Sequence, residues 1–241
     1  MSIKYKRAIL KFSGEILRGN GVSDTISAEV VRRLCWEVKT LHESDFELGI
    51  VLGGGNIFRG IAANEKFGYD RITGDYMGML ATVINSLAIA DCLRGIGVAT
   101  EVLSALHVPS ICEQYNVRMA RRALMDGNVL LLAGGTGNAF FSTDSGAALR
   151  ANELCADVVI KGTKVDGVYD SDPKICKSAK RFDRISFRDV LQRRLNVMDS
   201  TAFSLCMDNN IPIIVVNVEA DLKNVGRALH GEIVGTTILN D

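Results

Sequence analysis

Residues 46–55 read Phe46-Glu47-Leu48-Gly49-Ile50-Val51-Leu52-Gly53-Gly54-Gly55. An apolar, branched run that stops in three glycines predicts a buried strand followed by a turn with its backbone laid bare. Two further runs end in the same way: residues 7–12 lead into Ser13-Gly14, and residues 128–133 lead into Gly134-Gly135-Thr136-Gly137. In an open α/β sheet, ligands bind beyond the carboxyl ends of the strands. Glycines there let backbone N–H groups approach phosphate oxygens, and the helix N-termini that follow add a favourable dipole. One such cluster is only a tight turn, but three at one expected edge point to an anion site.

Amphipathic segments lie between these runs. Ser27 reads as the N-cap of a helix to about residue 43, with Val30, Leu34, Val38 and Leu41 on one face. Residues 76–94 predict a long helix that is apolar on nearly every side, as expected of a helix that is central to the fold or, the favoured reading, buried at a subunit interface. Strands are expected at 98–103, 157–161, 212–217 and 233–239, and helices at 117–125, 144–154, 187–194, 198–209 and near 221–230. Residues 163–173 are rich in turn formers. The alternation predicts a three-layer α/β/α sandwich around a mainly parallel central sheet. No linker or repeat interrupts it, so residues 1–241 are expected to form a single domain, with an N-terminal acceptor lobe of about 1–150 and a C-terminal nucleotide lobe of about 151–241.

Charge narrows the function. Of 241 residues, 28 are Lys or Arg and 28 are Asp or Glu, so the formal net charge is zero. A surface that tracks nucleic acid carries a basic excess, and none is present. Anion binding must therefore be local. A content of 47% hydrophobic and 23% charged residues excludes a disordered chain. The six cysteines form no C-x-x-C pair, which argues for free thiols in a reducing cytoplasm. No secretory signal is expected, and the uncharged stretch 76–90 is too short to span a bilayer. His42, His107 and His230 are scattered and suggest no metal set. Trp36 is expected to pack, and Tyr115 with Arg118–Arg122 to form a solvated face.

Neither G-x-G-x-x-G nor G-x-x-x-x-G-K-[ST] is present. Lys11 and Lys161 nevertheless each end an apolar strand at the expected ligand edge, and Arg59 follows the triple glycine. A lysine in that position is costly unless it faces an anion. Three such cations describe a phosphate cage suited to phosphoryl transfer, where catalysis is mostly positioning and charge neutralisation. Asp144, at an expected helix start, could orient Lys11 or hold a metal through water, and Asp199 is a weaker candidate of the same kind.

Lys11-Phe12-Ser13-Gly14-Glu15, Gly53-Gly54-Gly55-Asn56-Ile57-Phe58-Arg59-Gly60 and residues 74–82 resemble the amino-acid-kinase superfamily, and within it the bacterial uridylate (UMP) kinases. Residues 135–144 and 161–169 match the same group, so the resemblance runs over essentially the whole chain. It implies an amino-acid-kinase fold, phosphoryl transfer from ATP to UMP with Mg²⁺, and a place in pyrimidine nucleotide biosynthesis. It also implies ATP contacts at Lys11, Phe12, Ser13, Gly14, Gly55, Arg59, Thr163, Tyr169 and Asp172. UMP contacts are implied at Gly54, Asp75, Thr136, Gly137, Asn138, Ala139, Phe140, Phe141, Ser142 and Thr143. Lys11, Arg59, Asp144 and Lys161 are implied as catalytic, with Mg²⁺ held by phosphates and water rather than by side chains.

The same resemblance implies a homohexamer inhibited by UTP. Residues 17–24 carry valine where a Gly-Phe-Gly is expected, which puts GTP activation in doubt, and Gly162 stands where alanine is commoner. Two other readings stay open: an acetylglutamate-like kinase of the same superfamily, and a non-catalytic nucleotide-binding or storage protein on the same scaffold.

Overall fold

The computed structural model describes residues 3–19, 24–59, 68–171, 173, 175–176, 178–195 and 197–241. The strands are β1 Arg7–Phe12, β2 Glu47–Leu52, β3 Thr100–Ser104, β4 Glu113–Gln114, β5 Val129–Ala133, β6 Val158–Thr163, β7 Val168–Tyr169, β8 Arg181–Phe182, β9 Arg184–Ser186, β10 Ile213–Asn217 and β11 Gly235–Leu239. The helices are α1 Ala28–Glu43, α2 Arg71–Gly95, α3 Val117–Met125, α4 Thr143–Glu153, α5 Phe187–Gln192, α6 Ser200–Asp208 and α7 Asn224–Leu229.

One nine-stranded sheet runs in the order β4-β3-β5-β2-β1-β6-β10-β11-β9, while β7 and β8 form a separate hairpin. Every neighbouring pair in the large sheet is parallel except β10 with β11. Parallel strands need crossovers, and the helices supply them on both faces. Side chains alternate along β1. Ala8, Leu10 and Phe12 join a core with α1, α2 and α7, and Ile9 joins the opposite core with α3, α4, α5 and α6. This is the expected three-layer sandwich, and the carboxyl ends of β1, β2, β5 and β6 share one edge.

Several local expectations need correction. The long helix starts a turn early, at Arg71, because the Asp70 carboxylate caps it by accepting from the backbone N–H groups of Ile72 (3.0 Å) and Thr73 (3.4 Å). At 25 residues α2 is long and apolar enough to cross a membrane by length and composition, and half of its most apolar window is buried in the fold. It packs along α1, β3 and β5. On α1 Val31 rather than Val30 joins Leu34, Val38 and Leu41 in the buried face, and Val30 is only half-buried. Trp36 is 56% exposed rather than packed. The turn-rich stretch holds β7, which pairs with β8 beyond it. All six cysteines are unpaired, as expected.

Candidate active site

Strand periodicity brings two lysines together. Lys11 lies two residues beyond Ile9, and Lys161 two beyond Val159, so both side chains project to the face covered by α4. The register of β1 and β6 pairs them directly, Lys11 opposite Lys161. The helix α4 connects β5 to β6 and packs on β1, β2 and β6, which carries its first turn under both lysines. Asp144 sits in that turn, 8% exposed. One carboxylate oxygen lies 2.5 Å from the Lys11 Nζ and the other 2.7 Å from the Lys161 Nζ. Lys161 also donates to the carbonyl of Val197 at 2.5 Å.

Burial alone would push the Asp144 carboxyl up, but Lys11 and Lys161 together outweigh it and hold the group below the usual carboxylate range. Burial pulls the Lys161 ammonium down; Asp144 opposes this and the charge on Lys11 adds to it. Two cations and one anion leave a net positive centre at the sheet edge, open to a cavity of 1040 Å³ that Lys11, Ser13, Lys161 and Thr163 line.

A second cavity, of 150 Å³, opens beyond β2 and β5 and is lined by Gly54, Asp75, Phe141, Ser142 and Thr143. Gly54 has no room for a side chain, since a Cβ there would lie 2.5 Å from the carbonyl oxygen of Gly78 on α2. Its turn is held by a reciprocal amide pair, Asn56 with Asn85, at 2.7 and 3.0 Å. Asn85 also donates to the Gly53 carbonyl at 2.8 Å. The opposite wall begins with Gly134 and Gly135, both left-handed at φ 75° and 59°. Asp75 bridges the two walls. It pairs with Arg71 at 2.9 Å and accepts from the Phe140 N–H at 2.8 Å. Ser142 caps α4, and Asp199 accepts from the hydroxyls of Ser142 and Ser145 while capping α6.

The other expected residues are distributed around this frame. Thr136, Gly137, Asn138 and Ala139 form the outer turn of the acceptor loop, where the Asn138 N–H donates to Thr136 Oγ1 at 3.2 Å. The Phe12 ring is buried in the α1–α2 core, so that only its backbone faces the edge. Ser13 caps the short turn Gly14–Leu17. Gly55 adjoins Arg59 and Glu15. Arg59 pairs with Glu15 at 2.6 Å, its side chain 63% exposed, and sits at the rim rather than with the two lysines. Thr163 and Tyr169 line a third cavity, of 370 Å³. The Tyr169 hydroxyl donates to Asp166 at 2.8 Å. Asp172 lies outside the described residues.

Sequence reasoning missed Glu15, the Asn56–Asn85 pair and a buried cluster around Arg150. Asp199, the weaker candidate of the sequence, meets Ser142, Ser145 and the Ala202 N–H rather than Lys11. Among the described residues no group of three or more His, Cys, Asp or Glu could hold a metal ion.

The arrangement agrees with comparisons to known proteins. The sequence model of the amino acid kinase family matches residues 6–217. The uridylate kinase of Zymomonas mobilis is 48% identical over 99% of this chain and 97% of its own length. That of Bartonella henselae is 49% identical over 96% of this chain and 95% of its own. The crystal structure of UMP kinase from Bacillus anthracis superposes with a TM-score of 0.94 at 34% identity, covering 98% of this chain and 97% of that one. The UMP kinase structure from Ureaplasma parvum gives 0.92 at 36%, covering 99% of this chain and all of that one.

Proposed function

Since the chain belongs to the amino acid kinase family, we propose that it transfers the γ-phosphoryl group of ATP to UMP, giving ADP and UDP. The observation that carries this reading is the Lys11–Asp144–Lys161 centre, set where β1 adjoins β2 on the acceptor side and β6 on the other. The near-full-length relatives named uridylate kinase support the choice of acceptor.

The chemistry asks little more of the protein. The nucleophile is a phosphate oxygen of UMP, already ionised near neutral pH, so no general base is needed. The task is to bring two anions together and hold them in line. Lys11 and Lys161 supply fixed positive charge for the transferred group, and Asp144 orients both ammonium groups. Arg59, tethered to Glu15, meets the ATP phosphates from the rim. UMP occupies the cavity between Gly54 and Ser142, with Asp75 on its ribose hydroxyls. ATP contacts the backbone of Lys11–Gly14, and its adenosine lies by Thr163 and Tyr169.

Mg²⁺ would neutralise phosphate charge as ATP binds. Both oxygens of Asp144, the carboxylate of the centre, are engaged by lysines. The chain therefore fits a metal that is carried by phosphates and water rather than by side chains.

We read residues 1–150 as the acceptor lobe and 151–241 as the ATP lobe of one cytoplasmic domain serving pyrimidine nucleotide biosynthesis. We expect it to assemble as a homohexamer with UTP inhibition; the doubt about GTP activation rests on residues 17–24, of which 20–23 lie outside the described residues. Ile72, Tyr76, Leu80 and Ile84 support assembly: they recur every fourth residue on α2, each between 42% and 50% exposed. An ADP-release assay with UMP, CMP and several amino acids, each with and without UTP and GTP, tests the reading. Turnover with UMP is expected, and turnover with an amino acid but not with UMP would overturn it.

A further inference from the structure

Arg150 is only 5% exposed and lies on α4, outside the transfer centre. Its guanidinium meets three groups: Glu153 Oε2 at 2.5 Å, the Gly135 carbonyl at 3.4 Å, and the face of Tyr115, whose ring centroid is 3.7 Å from Cζ. The Tyr115 hydroxyl donates to the same Glu153 oxygen at 2.8 Å. Tyr115 is thus half-buried against Arg150, not part of the solvated face its sequence neighbours suggest. Burying a guanidinium is expensive, and apolar replacements of buried ion pairs are often neutral or stabilising. Stability alone therefore does not account for Arg150.

Its reach to Gly135 does. Gly135 lines the acceptor cavity in a left-handed conformation. One helical turn before Arg150, Gly146 abuts the same residue, since a Cβ at 146 would stand 3.4 Å from the Gly135 carbonyl carbon. So α4 touches Gly135 at positions i and i+4, while its first turn presents Asp144 to the lysines. In a trans peptide the carbonyl and the following N–H point in opposite directions. Drawing the Gly135 carbonyl toward Arg150 turns the Thr136 N–H away from α4.

We propose that Arg150 is a positioning residue for the acceptor, a pyrimidine nucleoside monophosphate. It clamps the Gly135–Thr136 peptide so that the loop bearing the acceptor and the carboxylate ordering the lysines are indexed by one buried helix. The inference rests on the UMP kinase reading above.

The test compares wild type with Arg150→Met and Arg150→Lys, by steady-state kinetics and by calorimetric titration of UMP alone. Arg150→Met is expected to raise KM and Kd for UMP about tenfold, the scale of one lost charge-assisted hydrogen bond, with KM for ATP within about twofold. Arg150→Lys keeps a cation near the carbonyl and should recover most of that loss. If Arg150→Met fails to fold, Tyr115→Leu, which keeps Arg150 but removes the ring and hydroxyl that hold its guanidinium and Glu153 toward Gly135, should raise KM for UMP selectively. Unchanged UMP affinity, or equal rises for UMP and ATP, in whichever variant folds would overturn the proposal. A wild type that neither binds nor phosphorylates UMP would overturn the functional reading itself.

Discussion

Lys11 and Lys161 face each other across a register pair, an arrangement that costs energy unless an anion sits between them. Asp144 is that anion, and the three groups stand or fall together. Replacing it as Asp144→Asn strands two neighbouring ammonium groups in a largely buried site. The expected loss is about 3 kcal/mol in chemical denaturation, together with most of the activity. The pH response has a defined sign. The folded-state carboxyl is lowered, so its contribution is present above the ordinary carboxylate range and is lost as pH falls through the lowered value. Lys161 is lowered too. The unfolded chain holds that proton more tightly, and the resulting penalty fades as pH rises toward the ordinary lysine range. Wild-type stability should therefore fall more steeply than that of Asp144→Asn between about pH 5 and about pH 3; parallel curves would contradict the assignment. Lys11→Ala is expected to lower kcat by about 10²–10³ while leaving UMP affinity within a few-fold, and unchanged turnover would remove Lys11 from the mechanism. Both lysines and Asp144 were legible in the sequence because a charge ending an apolar strand, or opening a helix after a glycine turn, is a local signal. Arg150, Glu153 and Tyr115 were not. Their contact depends on how α4 lies against the chain near Tyr115, and no spacing records that.

At the level of elements, β1 and β6 also meet on the opposite face. Phe12 and Gly162 are register partners there, and a Cβ at position 162 would lie 2.5 Å from the Phe12 ring. The glycine at a position where alanine is commoner thus has a physical partner. Gly162→Ala is expected to cost about 1–3 kcal/mol from overpacking. Phe12→Leu should relieve much of that in a double-mutant cycle, and additive losses would break the link. The strands were readable as runs, and α1 from its cap Ser27, whereas the cap of α4 is Ser142 rather than Asp144. The start of α2 was not readable, since Arg71, Thr73, Gly74 and Asp75 interrupt the apolar pattern of its first turn. The short strands β4, β7, β8 and β9 were missed because pairing at such lengths comes from neighbours rather than from periodicity.

At the scale of the molecule, the stripe Ile72, Tyr76, Leu80 and Ile84 leaves a long helix with an apolar face in water. Leu80→Glu combined with Ile84→Glu should yield a smaller sedimenting species with unchanged circular dichroism, and an unaltered sedimentation coefficient would exclude this face from assembly. The sheet itself carries a different consequence. β1 is hydrogen-bonded on both sides, to β2 and to β6, so the backbone bearing Lys11 and Lys161 lies far from any edge that could fray. Amide hydrogen exchange there should need global unfolding, whereas the acceptor loop should exchange through local opening. The two lysine ammonium groups are thus carried on what should be the slowest-exchanging part of the chain, in place before any ligand arrives.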